Sequence, residues 1–155
     1  MKQGYANLVS TWLPVLIGLC VIAFESTNTM SAERTSRYLR PFFTWLCGPI
    51  TEAHWGAFHH VLRKSGHFIG YGTLGLIWLR AWLRALCNHT GWTQTEWRVR
   101  CAALGVGFTF LTACGDELHQ TFLPSRTGQF SDVLLDTCGA LVFTLLVAAR
   151  WRRSA

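Results

Sequence analysis

The sequence predicts an all-α membrane protein, a polytopic bundle of four transmembrane helices with an amphipathic outer loop. Only 14% of the 155 residues are charged, against about a quarter in soluble domains. The eight Trp and ten Phe are more large apolar side chains than a soluble domain this small can bury. Basic residues, which give a net charge of +6, flank apolar runs instead of forming a tail. This placement favours lipid headgroups over nucleic acid as the partner.

The first span is predicted at about residues 5–24. Between Lys2 and Glu25 lie 22 residues without a formal charge, and a helix needs about 20 residues to cross the hydrocarbon core. Pro14 lies inside this run, where a membrane helix tolerates it. The run is longer than the apolar part of a signal peptide, and no A-x-A-like site follows Phe24. We therefore expect an uncleaved helix.

Three shorter apolar runs predict the other spans, at about residues 65–83, 99–116 and 133–149. Basic residues and Trp near their ends are typical of membrane interfaces. With four spans, both termini and the middle loop share one side with eight basic residues and one acid, Glu96; the other side has six basic residues and seven acids. Because positive charge marks the cytoplasmic side, we predict an inner-membrane protein with cytoplasmic termini and a single domain over residues 1–155.

The loop between the first two spans, residues 25–64, is too long for a tight turn. Ser31 is a suitable cap for a short helix, and apolar residues over positions 38–46 recur at helical spacing. Pro41 and Pro49 are expected to interrupt this helix. Two interpretations stay open: an amphipathic helix lying on the membrane surface, or an ordered loop packed over the bundle.

Ionisable and amide side chains gather where three segments reach the outer face. Such groups are costly at membrane depth and are usually paired or functional. The set comprises Arg63, Lys64, His67 and Tyr71, then Asp116, Glu117, His119 and Gln120, and finally Arg126, Asp132 and Asp136. Helical spacing puts Lys64, His67 and Tyr71 on one side of their helix. The same spacing predicts one shared face for Asp116, His119 and Gln120.

Glycines near these residues predict close helix packing. Gly66, Gly70 and Gly75 form a stripe of small residues along the second span, which lets another helix approach closely. Gly139 continues the side of the fourth helix that carries Asp132 and Asp136, and is expected to offer a flat contact surface. The polar residues should therefore lie between tightly packed helices.

Two interpretations of the polar residues remain. In the first, Arg63, Lys64 and Arg126 only neutralise the acids in a structural ion-pair network. In the second they bind a phosphate, which at the outer leaflet belongs naturally to a lipid. An enzyme would then use His67 and His119 as acid and base. The same interpretation makes orienting or metal-binding groups of the carboxylates Asp116, Glu117 and Asp132.

The cofactor is unknown from the sequence. Two histidines and several carboxylates are ligand types for zinc or a hard cation. However, Asp116-x-x-His119 is not a strong zinc signature, and nearby Arg126 would oppose a cation. The six cysteines form no C-x-x-C pair, and no G-x-S-x-G motif supports a nucleophilic serine. Metal binding stays open on ligand type alone.

The order of these motifs resembles the VanZ-like family of bacterial membrane proteins. The matching strings are R-K-x-G-H-F-x-x-Y from Arg63, D-E-x-H-Q-x-F-x-P-x-R from Asp116, and D-x-x-x-D-x-x-G from Asp132. The family often has Asn where Asp136 stands, so Asp136 adds a charge here. The resemblance implies a role in the cell envelope and an association with low-level resistance to the glycopeptide teicoplanin. It does not imply a particular reaction.

Together these observations predict an envelope protein that binds or modifies an anionic lipid-linked molecule, with membrane lipid or a lipid-linked envelope precursor as its partner. An enzyme would be a hydrolase or transferase using acid–base or metal-assisted chemistry. The alternatives are a non-catalytic scaffold or partner protein and a small proton-coupled transporter. Four short helices leave little room for alternating access, which disfavours the transporter unless the protein oligomerises.

Overall fold

The computed structural model describes the backbone of residues 2–87, 91–124 and 126–151 and the side chains from residue 8 onward. Within these ranges every regular element is helical, so the all-α prediction is confirmed. The elements are α1 (Lys2–Glu25), a 3-10 turn (Asn28–Met30), α2 (Ala32–Cys47), α3 (Glu52–Ala85), α4 (Gln94–Thr121) and α5 (Phe130–Trp151).

Three helices of the described chain are long and apolar enough to cross a membrane: Leu8–Glu25 in α1, Gln94–Thr121 and Phe130–Trp151. They contain most or all of the first, third and fourth predicted spans. The second predicted span, residues 65–83, lies in α3, which is too polar to join them. Because α3 packs against α1, α4 and α5, its polar side chains can face other helices instead of lipid. The count of four spans stays a prediction.

One end of the bundle collects the polar residues, and we call it the polar end. The end of α1 meets the end of α4 there, where Ser26 contacts His119. The start of α5 meets α3 there as well, where Lys64 contacts Asp132. The segments predicted to converge from sequence therefore do converge.

The helix α3 begins earlier than predicted. Its 34 residues span about 51 Å at 1.5 Å per residue, more than the roughly 30 Å hydrocarbon core. Its first turns, residues 52–64, precede the predicted second span, and we call them the extension of α3. Thr51 starts the helix by accepting a hydrogen bond from the backbone N–H of His54 at 3.4 Å. The predicted loop over residues 25–64 consequently ends at Thr51, because this cap and the acidic Glu52 favour a helix start.

The helix α2 confirms the one predicted after Ser31, whose hydroxyl accepts from the backbone N–H of Arg34 at 3.4 Å. The prediction that Pro41 interrupts it is wrong, since Pro41 lies inside the helix. A proline removes one helical hydrogen bond, and its ring can kink a helix without ending it. The end comes at Gly48, whose φ of 87° is accessible to glycine at little cost, just before Pro49.

Aromatic side chains hold α2 against the extension of α3. The ring centroid of Phe43 lies 4.9 Å from that of Phe58 and 6.1 Å from that of Trp55. On the other face of α2, Tyr38 and Trp45 are 78% and 80% exposed. These exposed amphipathic rings suit a membrane interface. The helical interpretation of this segment is confirmed, whereas its position on the membrane surface stays a prediction.

Small residues bring α3 and α5 into close contact. A Cβ atom added at Gly139 would overlap the backbone carbonyl of Phe68, and one at Gly75 would lie 2.8 Å from the Cβ atom of Ala140. Real Cβ atoms do not tolerate such distances. The flat surface predicted at Gly139 is therefore confirmed.

The predicted glycine stripe on α3 is only partly right. A Cβ atom at Gly66 or Gly70 would meet open space, whereas one at Gly72 would lie 2.9 Å from the ring of Phe143. The face of α3 that touches α5 therefore follows Gly72 and Gly75. Spacing alone could not choose this face, because the choice depends on how the two helices cross.

Candidate functional site

Two polar pairs connect α3 to α5. The ammonium of Lys64 pairs with Asp132, and His67 Nδ1 lies 3.5 Å from an oxygen of the fully buried Asp136. Lys64 and His67 are three residues apart and the two aspartates are four apart, so each helix presents one polar side to the other. The shared sides predicted for these residues are confirmed.

A hydrogen-bonded group connects α3 to α4. The hydroxyl of Tyr71 donates to Asp116 Oδ2 at 2.9 Å, and Gln120 Nε2 donates to the same oxygen at 3.0 Å. All three side chains are buried. The ring of His67 stacks on Tyr71, with centroids 6.2 Å apart. Asp116 therefore acts as an acceptor that fixes the positions of Tyr71 and Gln120.

Glu117 holds the start of α5. Its side chain is buried, and Oε2 accepts a hydrogen bond from the backbone N–H of Gln129 at 2.7 Å. This contact satisfies a donor that a helix start leaves without a partner. Glu117 thus lies on a face next to that of Asp116, as predicted, and its contact positions backbone.

His119 does not share the face of Asp116 and Gln120, which corrects the sequence expectation. Its side chain is exposed and its Nδ1 lies 2.9 Å from the hydroxyl of Ser26. A serine bonded to an imidazole resembles an activated nucleophile. However, Ser26 is only 3% exposed, so a substrate cannot reach its hydroxyl. The contact holds the end of α1 against α4.

Arg126 also fixes the end of α1. One guanidinium nitrogen donates to the carbonyl of Glu25 at 2.6 Å and to that of Thr27 at 3.1 Å, on both sides of Ser26. Its Nε is buried without a hydrogen-bond partner. Arg126 is therefore held in place by backbone carbonyls and forms no direct ion pair with an acid of the described residues.

A cavity of about 420 Å³ opens at the polar end. It lies between the extension of α3, the start of α2 and the segment that joins α4 to α5. Its polar lining comprises Arg63, Lys64, Arg126, His59, His60, His67, Gln120, Thr127, Gln129 and Asp132. Six of the predicted site residues are in this lining. The other five, Tyr71, Asp116, Glu117, His119 and Asp136, lie behind or beside it.

The charge of the cavity is strongly positive. Its three cations face a single carboxylate, Asp132, which pairs with Lys64. Arg63 and Arg126 take part in none of the ion pairs among the described residues. Burial, followed by the charge of Arg63, lowers the pKa of Arg126. Two guanidinium groups thus line one cavity without a direct ion pair to a described acid, and of the three cations only Lys64 forms one of the predicted neutralising pairs.

His59 and His60 are two histidines of the lining that sequence spacing did not single out. His59 Nε2 lies 3.2 Å from the hydroxyl of Thr35, and its ring stacks on Trp55 with centroids 5.2 Å apart. Burial, then the charge of Arg63, lowers the pKa of His59. Helical spacing could have identified them, because His59 and His60 each lie four residues before a basic residue of the site. That inference requires a helix that already begins at Glu52, which the sequence did not predict.

In the part of the chain that the structure describes, the side chains do not form a metal site. No three His, Cys, Asp or Glu side chains are grouped there so as to hold an ion. None of the six cysteines, all of which lie in the described ranges, forms a disulfide. The lining is instead rich in hydrogen-bond donors and cations, which suit oxyanions.

The family comparison agrees with this architecture. The VanZ/LLP1 family matches residues 11–151, which include all the helices after the first turns of α1 and every residue of the polar end. No curated protein and no solved structure matches the sequence significantly. The resemblance seen in the three sequence motifs is confirmed, and the chain is a membrane-associated member of the VanZ/LLP1 family.

Proposed function

We propose that this protein acts in the bacterial cell envelope by binding the phosphate of a lipid-linked molecule in the cavity at the polar end. The observation that carries the proposal is the pair of guanidinium groups, Arg63 and Arg126, that line the cavity and form no direct ion pair with a carboxylate of the described residues. Arginine binds phosphate through two parallel hydrogen bonds. Binding of a phosphate-bearing envelope precursor would connect this site to the teicoplanin resistance associated with the family.

A phosphate-transfer or hydrolysis reaction is a second candidate function, favoured by one observation. His67 lines the cavity while Asp136 contacts its ring from behind. A histidine oriented by a carboxylate is a suitable proton carrier. His119 lies outside the cavity, so we propose His67 as the proton-transferring group of such a reaction and His119 as a support for α1.

Binding is tested with Arg63→Gln in purified protein reconstituted in neutral lipid nanodiscs. We expect affinity for dodecyl phosphate to fall by about 10–100-fold, since a hydrogen bond to a charged group contributes roughly 1.5–3 kcal/mol. Arg37→Gln is the matched control, because Arg37 is 70% exposed and pairs with Glu33 on α2. Equal affinity of wild type and Arg63→Gln, measured by titration, would refute the proposal.

The proposed orientation places the cavity at the outer face of the inner membrane, with both termini in the cytoplasm. The bias of eight basic residues against six supports it. A reporter fused after Ala155 should give the cytoplasmic signal, and one inserted after Gly48, in the segment between α2 and α3, should give the periplasmic signal. The opposite pair of signals would place the cavity on the cytoplasmic face.

A further inference from the structure

A groove adjoins the cavity on the side of the bundle, between α3 and α5. Its walls are mostly apolar: they are formed by Val61, Phe68 and Ile69 of α3 and Leu135 of α5, and Ser65 also lines the groove. Two polar residues, His60 and Lys64, line both the groove and the cavity. The positive cavity and the apolar groove are therefore neighbouring parts of one surface.

The groove extends toward the membrane. Ile69 lies five residues beyond Lys64, which is about 7 Å farther from the start of α3 and inside the predicted span at residues 65–83. Val61 and Ile69 are 62% and 55% exposed. With the second span at residues 65–83, Ile69 faces hydrocarbon, so the groove opens to the lipid at this end.

The floor of the groove is held rigidly. The backbone of Phe68 is in close contact with Gly139, and its ring packs edge-on against Phe143 with centroids 6.2 Å apart. Leu135 lies one turn before Gly139 on α5. The packing of α3 on α5 therefore fixes the position of the Phe68 ring and, with it, the shape of the groove.

We propose that the groove holds the hydrocarbon chain of the molecule whose phosphate occupies the cavity. The ligand class is then an alkyl or isoprenoid phosphate that enters sideways from the bilayer, its phosphate passing the Lys64–Asp132 pair. This inference rests on the proposed function. It adds a binding site for an apolar tail, which a free phosphate would not need. A soluble anion uses only the cavity, whereas an apolar groove that begins at two cavity residues matches a charged head joined to an apolar tail.

The test compares butyl phosphate with dodecyl phosphate in neutral nanodiscs, using wild type and variants in the same lipid so that partitioning into the bilayer is common to all. Leu135→Trp fills the groove. Leu134→Trp is the matched control, because Leu134 is 52% exposed and lies about 100° around the helix from Leu135. If thermal unfolding shows that Leu135→Trp is not folded, Ile69→Trp replaces it, because it fills the groove from α3.

We measure the ratio of the affinity for dodecyl phosphate to the affinity for butyl phosphate. This ratio should be about tenfold larger in wild type and Leu134→Trp than in the groove variants. The groove variants should keep their affinity for butyl phosphate. An unchanged preference in Leu135→Trp and Ile69→Trp would overturn the groove while leaving phosphate binding in place. Unchanged binding of both probes by Arg63→Gln would instead overturn the proposed function, and the groove inference with it.

Discussion

Replacement of Gly139 by alanine is expected to lower the stability of the folded bundle by about 2–3 kcal/mol, because the added methyl group overlaps backbone that cannot rotate away. The overlapping atom is the carbonyl of Phe68. The helices α3 and α5 must then move apart, which separates Lys64 from Asp132 as well. Thermal unfolding in a mild detergent measures the loss.

Gly107→Ala is the control for that experiment. A Cβ atom at Gly107 meets open space, and alanine favours a helix over glycine by up to about 1 kcal/mol. We therefore expect Gly107→Ala to equal or exceed wild type in melting temperature. If Gly139→Ala melted at the same temperature as Gly107→Ala, the close packing of α3 on α5 would be wrong.

Replacement of His67 by phenylalanine is expected to destabilise the bundle by about 3–5 kcal/mol, the usual result of removing one partner of a buried ion pair. The loss arises because Asp136 is fully buried and neither of its oxygens has a hydrogen bond among the described residues. His67 is the partner within ion-pair distance of it. Without His67, Asp136 is a carboxylate buried without a partner.

A double variant separates this charge effect from lost packing. His67→Phe combined with Asp136→Asn removes both ionisable groups, and we expect it to recover most of the stability. His54→Phe, at an exposed position of the first turn of α3, should leave the melting temperature unchanged. A double variant as unstable as His67→Phe alone would show that His67 contributes through packing and not through its contact with Asp136.

Sequence spacing predicted the contacts that lie along a single helix face. Lys64 and His67, and likewise Asp132 and Asp136, share their sides because a helix places residues three and four apart together. Spacing could not identify the partner helix on each side. His119 is three residues from Asp116 yet turns toward Ser26 of α1, because that position depends on where α1 ends.

The extent of α3 was the other feature that local patterns did not reveal. Its extension from Glu52 is amphipathic and lies outside the apolar run, so hydropathy marked only the later part of the helix. The start at Thr51 follows from capping, and the extension is held by aromatic packing against α2, as between Phe43 and Phe58. That packing is a long-range contact, and it places His59 and His60 in the cavity lining.

The most direct test of lipid-phosphate binding in the cavity is photolabelling of the membrane-embedded protein. The probe is an alkyl phosphate with a photoreactive group next to the phosphate, and labelled peptides are mapped by mass spectrometry. We predict label on residues 56–67 and 126–132 that excess dodecyl phosphate displaces and that Arg63→Gln strongly reduces. Label confined to other segments, or label in these segments that neither dodecyl phosphate nor Arg63→Gln reduces, would contradict it.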